Sequence, residues 1–155
     1  MHVNVLDIDF NKTKTIGSLG ETKVIAYWIR FCNETLNGEA FIIPYGNDVK
    51  RLENKTISVE TSQNAIQNLK KVYDESIFKP LIKRLEDNRY IIVGKVNFVL
   101  HEDNADEDSA VVLVDVDVSG ITFTIEQCEE DISNLNIGDL IEFKLEELLL
   151  FDEGY

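Results

Sequence analysis

Residues 22–32 alternate along the chain: Ile25, Tyr27, Ile29 and Phe31 face one way, Val24, Ala26, Trp28 and Arg30 the other. A period of two is that of a β-strand, and apolar residues on both faces predict a strand inside a sheet. Val3, Val5, Leu6, Ile8 and Phe10 predict an earlier strand over 2–10, and Asn11 to Gly20 reads as a polar turn region. Asn37-Gly38 is a two-residue hairpin signal. It leads into Ala40-Phe41-Ile42-Ile43, which Pro44 closes, and a short strand over Thr56 to Glu60 follows.

The period changes in the middle of the chain. Ser62 can cap a helix over 63–78, where Ile66, Leu69, Tyr73 and Ile77 fall at helical spacing with Val72 and Phe78 beside them. Pro80 interrupts it. A second helix, roughly 80–87, carries Leu81, Ile82 and Leu85. Lys70, Lys71, Lys79, Lys83 and Arg84 line this unit. A phosphate site is the sharp reading of those lysines. A solvated basic face, or an internal counterpart to acidic residues elsewhere, is the plain one.

The last third returns to a period of two. Tyr90, Ile92, Val96, Phe98 and Leu100 share one face of a strand over 90–100, and Gly94 marks a bulge or a close backbone approach. Residues 110–118 and 121–128 read as a hairpin turning at Ser119-Gly120. That turn pairs Val118 with Ile121, Val116 with Phe123 and Val114 with Ile125 on an apolar face. The other face sets Leu113, Asp115 and Asp117 opposite Glu126, Thr124 and Thr122. Over 139–151, Ile141, Phe143 and Leu145 alternate and favour a strand with a bulge near Glu147. The competing helix rests on Asp139-x-x-Glu142, which has the form of a capping box. The sum is a single α+β domain over 1–155, mostly antiparallel sheet. Its helical unit (about 62–87) lies between two β-rich parts, 1–61 and 89–155.

Charge changes the picture more than composition does. The chain has 155 residues, 44% hydrophobic and 28% charged, enough to bury a core unaided. Its net charge is −14, from 15 basic and 29 acidic residues. Residues 1–101 are close to neutral, whereas Lys144 is the only basic residue after them. The tail half repels polyanions, so nucleic acid and an anionic membrane surface are poor partners for it. A basic protein is the natural one; the plain alternative is acidity serving solubility alone.

No run of 18 apolar residues occurs and the N-terminus has no basic-then-apolar segment, so neither a spanning helix nor a secretory signal is expected. Cys32 and Cys128 stand far apart, without metal-ligand spacing. They read as buried free thiols in a reducing, cytoplasmic location. The three N-x-[ST] sequons at Asn11, Asn33 and Asn54 read as turn residues. Trp28, Tyr27, Tyr73, Tyr90 and Phe151 are expected in the core, Tyr45 and Tyr155 at the surface.

Asp115-x-Asp117-x-Ser119-Gly120-x5-Glu126 matches an EF-hand calcium loop in spacing. The valines between those positions impose a strand period, which separates Glu126 from the turn and rejects the loop. No catalytic or cofactor motif appears, and no cofactor or metal is expected. His101 beside the acidic stretch is the one candidate general base, and a small hydrolase the reading that would use it. The partner-binding candidates are Glu102, Asp103, Asp106, Glu107, Asp108, Asp115, Asp117, Glu126, Glu129, Glu130 and Asp131. Glu142, Glu146 and Glu147 extend the same acidic edge.

A small, acidic, motif-free chain of this kind resembles the immunity proteins of bacterial toxin systems, including contact-dependent inhibition. The resemblance is one of overall character and transfers no individual residue. It implies a cytoplasmic inhibitor that covers a cognate cationic toxin, such as a nuclease, with carboxylates where substrate phosphates would lie; the oligomeric state stays open, with a monomer as the guess. The alternative is a structural or assembly accessory without catalysis, recognisable by self-association.

Overall fold

The computed structural model describes residues 2–86, 89–103 and 110–155. The strands are β1 (His2–Ser18), β2 (Glu21–Cys32), β3 (Asn37–Ile43), β4 (Thr56–Asn64), β5 (Gln67–Lys71), β6 (Leu81–Arg84), β7 (Tyr90–Glu102), β8 (Ala110–Val118), β9 (Ile121–Glu126), β10 (Leu140–Leu145) and β11 (Glu147–Asp152). Short 3-10 turns connect some of them, and the described residues contain no α-helix. The expected α+β class is therefore corrected to nearly all β. Two compact units emerge, Met1–Ser62 with Leu148–Tyr155, and Gln63–Glu147.

The first unit is a closed five-stranded barrel in the order β1-β2-β3-β11-β4. β1, β2 and β3 form consecutive antiparallel pairs, and β4 returns beside the start of β1, which makes a Greek key. β11 closes the gap, running parallel to β3 through Leu149–Phe41, Leu150–Ile42 and Phe151–Ile43. A barrel of this kind by itself assigns no ligand. Val3, Val5, Phe31, Ile42, Val59 and Leu150 are buried. Each contributes roughly 1.5–3 kcal/mol by leaving water.

Closure depends on a buried carboxylate. Asp152 accepts hydrogen bonds from Arg51 Nη2, from Tyr45 N at 2.9 Å and from Gly154 N at 3.0 Å. Ser58 N donates to Tyr155 O at 3.1 Å and Glu153 N to Ser58 O at 3.0 Å, which ties the last residues to β4.

Trp28 and Phe41 pair across β2 and β3 on the opposite face from Ile29 and Ala40, their rings edge-to-face at 5.0 Å. Lys12 Nζ stands 3.2 Å above the Trp28 ring and Lys14 Nζ 5.1 Å from the Phe41 ring. Burial there lowers the pKa of Lys14. Beyond this cluster β1 and β2 leave the barrel. β4 accompanies β1 only over His2–Asn4, and β3 accompanies β2 only from Tyr27. Residues 14–18 and 21–26 therefore form ladder pairs only with each other, as a two-stranded arm about 17 Å long.

The second unit is an antiparallel sheet, β5-β10-β7-β8-β9, with β6 also on β7. β8 and β9 adopt the expected register: Val118–Ile121, Val116–Phe123 and Val114–Ile125 on the buried face, Asp117–Thr122, Asp115–Thr124 and Leu113–Glu126 on the other. The Phe123 and Phe143 rings lie 5.9 Å apart although two strands separate β9 from β10. In a flat sheet that interval would be about 14 Å, so the sheet curls around its core. Gly94 is a close approach, since a Cβ there would lie 2.6 Å from Asp117 O.

The helical unit over 62–87 is the main correction. Its residues instead extend β4 and form β5, a 3-10 turn (Glu75–Ile77) and β6. Ala65 and Asn68 take positive φ, which no helix tolerates in its interior. Ile66 is buried but Tyr73 is exposed, so these two members of the expected stripe do not share a buried face. Pairing with β10 overrides the local period, because an amphipathic helix is stable mainly through the face it buries. Asn37-Gly38 is not a turn either. Cys32 pairs with Asn37 across a four-residue loop held by the Asn33 side chain, and Gly38 makes room for the Phe31 ring. The turn expected across Asn11–Gly20 shrinks to Leu19-Gly20. Over 139–151 the strand reading is correct, broken at Glu146 into β10 and β11. The thiols are free, but Cys32 is half-buried and Cys128 exposed. Phe151 is also exposed, whereas Trp28 and Tyr90 are buried and Tyr45 and Tyr155 exposed as expected.

Removing one member of a buried ion pair costs about 3 kcal/mol or more, because its partners stay desolvated. Asp152→Ala is expected to cost about 3 kcal/mol, the lower end because Arg51 is partly exposed. Arg30→Ala removes the well-exposed Arg30–Asp7 pair and is expected to cost under about 1 kcal/mol. Urea denaturation followed by fluorescence of Trp28, the single tryptophan, reads both in the barrel.

Candidate protein-binding surface

The candidate carboxylates come to one part of the second unit through β7, β8 and β9. Asp115, Asp117 and Glu126 share the face of β8–β9 opposite the valine core. Glu102 and Asp103 are exposed where β7 ends, and Glu102 pairs with Ala110 at the start of β8. On the other side of β8, Gln127 N donates to Val112 O at 3.0 Å, which sets Glu129, Glu130 and Asp131 in the turn that follows. Asp106, Glu107 and Asp108 lie outside the described residues.

Several of these side chains also hold the local backbone. Asp115 accepts from Thr124 Oγ1 at 2.6 Å, and Asp117 from Gly120 N at 3.0 Å. Glu129 accepts from Glu126 N at 2.9 Å. Asp131 accepts from Ser133 Oγ and N and from Gln127 Nε2, and bonds from Ser133 above all lower its pKa. This network seats Ile132 in the core. Among the described residues, none of these carboxylates forms an ion pair.

Part of the rest of the expected acidic edge, Glu142, is compensated by a lysine. Lys70 pairs with Glu142 at 3.0 Å and Lys71 with Asp139 at 3.1 Å across β5 and β10. Gln67 Nε2 donates to Glu146 at 3.3 Å. Those two lysines are thus an internal counterpart to acidic residues.

An apolar component of this face escapes sequence reading. β7 has a bulge at Asn97, since Val96 pairs with Val116 but Phe98 with Asp115. The extra residue reverses the alternation, so Phe98 and Leu100 leave the core face expected for them and stand beside Asp115 and Leu113. They are 46% and 44% exposed. Nothing about Asn97 announces the bulge, and Gly94, the residue that suggested one, serves another purpose. The surface is therefore an apolar stripe bordered by carboxylates. His101 is exposed at the end of β7, opposite Val111. Among the described residues, no group of three or more His, Cys, Asp or Glu side chains could hold a metal ion. No helix there is long and apolar enough to cross a membrane. The chain matches no known protein family, no curated protein and no solved structure.

Cys128 Sγ lies 3.5 Å from Glu126 Oε2, and that hydrogen bond, with desolvation and the Glu126 charge adding to it, raises the thiol pKa. An exposed thiol in this setting is a weak nucleophile, because the thiolate is the reactive form. On a Cys32→Ser background, Glu126→Ala is expected to speed iodoacetamide alkylation of Cys128 about threefold or more at pH 8. Intact-mass kinetics measure the change.

Proposed function

We propose that the chain is a non-catalytic binding protein of immunity type, whose β7–β9 face covers a cationic protein such as a toxin domain in the bacterial cytoplasm. The observation that carries this reading is the placement of Phe98, Leu100 and Leu113 beside Asp115 and Glu126 on one exposed face. Protein interfaces combine an apolar centre with a polar rim, and the centre supplies most of the affinity. The carboxylates steer a basic partner in and disfavour acidic ones. Against a nuclease, they would stand where substrate phosphates bind. Two free thiols accord with a reducing compartment.

The reading expects a toxin domain to be encoded beside this gene, and the test uses that domain. Co-expression is expected to restore growth, and the purified pair to form a 1:1 complex. The association rate should fall about tenfold between roughly 50 and 500 mM salt. Asp115→Lys with Glu126→Lys should slow association, and Leu100→Ser should speed dissociation. Rates indifferent to salt and to all three substitutions would end this reading. The assembly-component reading gains support from the β1–β2 arm, which is otherwise an unusual extension for a small barrel.

A further inference from the structure

β11 has a slender hold on β3. Three parallel pairs join them, Leu149–Phe41, Leu150–Ile42 and Phe151–Ile43, whereas six antiparallel pairs join β2 to β3 and eleven join β1 to β2. Parallel pairs are also slightly less stable per residue. The walls on either side of β11 are anchored without it. β3 stays on β2, and β4 stays on β1 through His2–Ser58, Val3–Ile57 and Asn4–Thr56. Withdrawal of β11 would thus leave a slot with an open strand edge on each side. Such an edge takes up an extended segment by main-chain hydrogen bonding.

The walls of the slot specify its occupant. Leu148 and Leu150 are buried there, so alternate positions must be apolar. Two residues on, Tyr45 N and Arg51 Nη2 converge on the Asp152 carboxylate, which is wholly withdrawn from water. An apolar residue in that place would leave those donors unpaired. Two residues further, a Cβ at position 154 would lie 2.9 Å from the Tyr45 ring, and φ there is +88°, so glycine is required. Ser58 N and O bond the backbone of Tyr155 and Glu153. We propose that β11 is a releasable strand, and that the slot between β3 and β4 binds an extended peptide of the form apolar-x-apolar-x-Asp-x-Gly. The chain's own Leu148–Gly154 is its resident occupant. The slot belongs to the barrel and does not depend on the β7–β9 reading.

A fluorescent peptide with the sequence of residues 147–155 tests the slot on the full chain by anisotropy. In the wild type it competes with an intramolecular strand, so binding is expected only near roughly 1 mM. Gly154→Ala or Asp152→Asn in the chain loosens the resident alone, and each variant is expected to bind the peptide at least about tenfold more tightly. Peptides carrying either substitution should not bind. Ile43→Cys with Phe151→Cys, on a background of Cys32→Ser and Cys128→Ser, ties β11 to β3 when oxidised; uptake should vanish there and return on reduction. Uptake that persists in the oxidised chain, or that does not discriminate against the altered peptides, overturns the proposal. So does a loosened variant that keeps the wild-type Trp28 emission and takes up no more peptide than the wild type. Deuterium exchange of the wild type supplies a test free of substitutions. After correction for intrinsic rates, the Ser58 and Glu153 amides are expected to exchange at least about tenfold faster than those of Ile29 and Phe31 in the longer ladder. Equal rates would mean that β11 leaves only when the whole barrel unfolds, and the proposal fails.

Discussion

The barrel cannot close until the chain's last strand has joined one of its first. β11 must find β3 in parallel register after the whole second unit has been made. Such a non-local pairing carries a loop-closure cost before any contact offsets it. What holds it is a carboxylate withdrawn from water, and such a group is tolerable only when donors surround it. Asp152 has a guanidinium and two backbone N–H groups converging on it, from residues that flank β3 and β11. Without that convergence β3 and β4 would keep open edges, and the inward side chains would lose their enclosure.

The same contrast between buried and exposed charge organises the surface. In the barrel, Lys12 and Lys14 lie over aromatic rings and Arg51 is turned inward to Asp152. On the second sheet, Lys70 and Lys71 balance carboxylates of β10. These five cations are engaged close to where they arise, whereas the carboxylates of β7–β9 form no ion pair among the described residues. An exposed pair contributes little energy individually. Its consequence here is a mostly negative border to an apolar stripe, relieved by Lys95 opposite Asp117.

Strands whose apolar residues alternate without interruption were legible, down to the register of β8 with β9, because a slip of one residue would turn the valine face to water. Features set by partners distant in the chain were not. Residues 63–78 carry a helical spacing, but β10 offers that segment a ladder and two ion pairs, and those contacts are invisible to a local window. The bulge at Asn97 likewise depends on how β8 lies against β7. It decides the candidate surface, since it moves Phe98 and Leu100 to the carboxylate side. The acidic residues could be named from the sequence; the hydrophobic half of their setting could not. Asn37-Gly38 failed for a similar reason, with the Phe31 ring rather than a turn requiring the glycine.

The second sheet leaves the barrel at β4 and returns at β11, and its two ends meet: Glu146 N donates to Asn64 O at 3.1 Å. A segment whose ends already touch can be exchanged for another, or cut back to a short bridge, without stretching the walls it interrupts. The inserted sheet, and whatever it recognises, is thus a replaceable part of the chain. The frame has no comparable freedom, because each of its five walls borders two others.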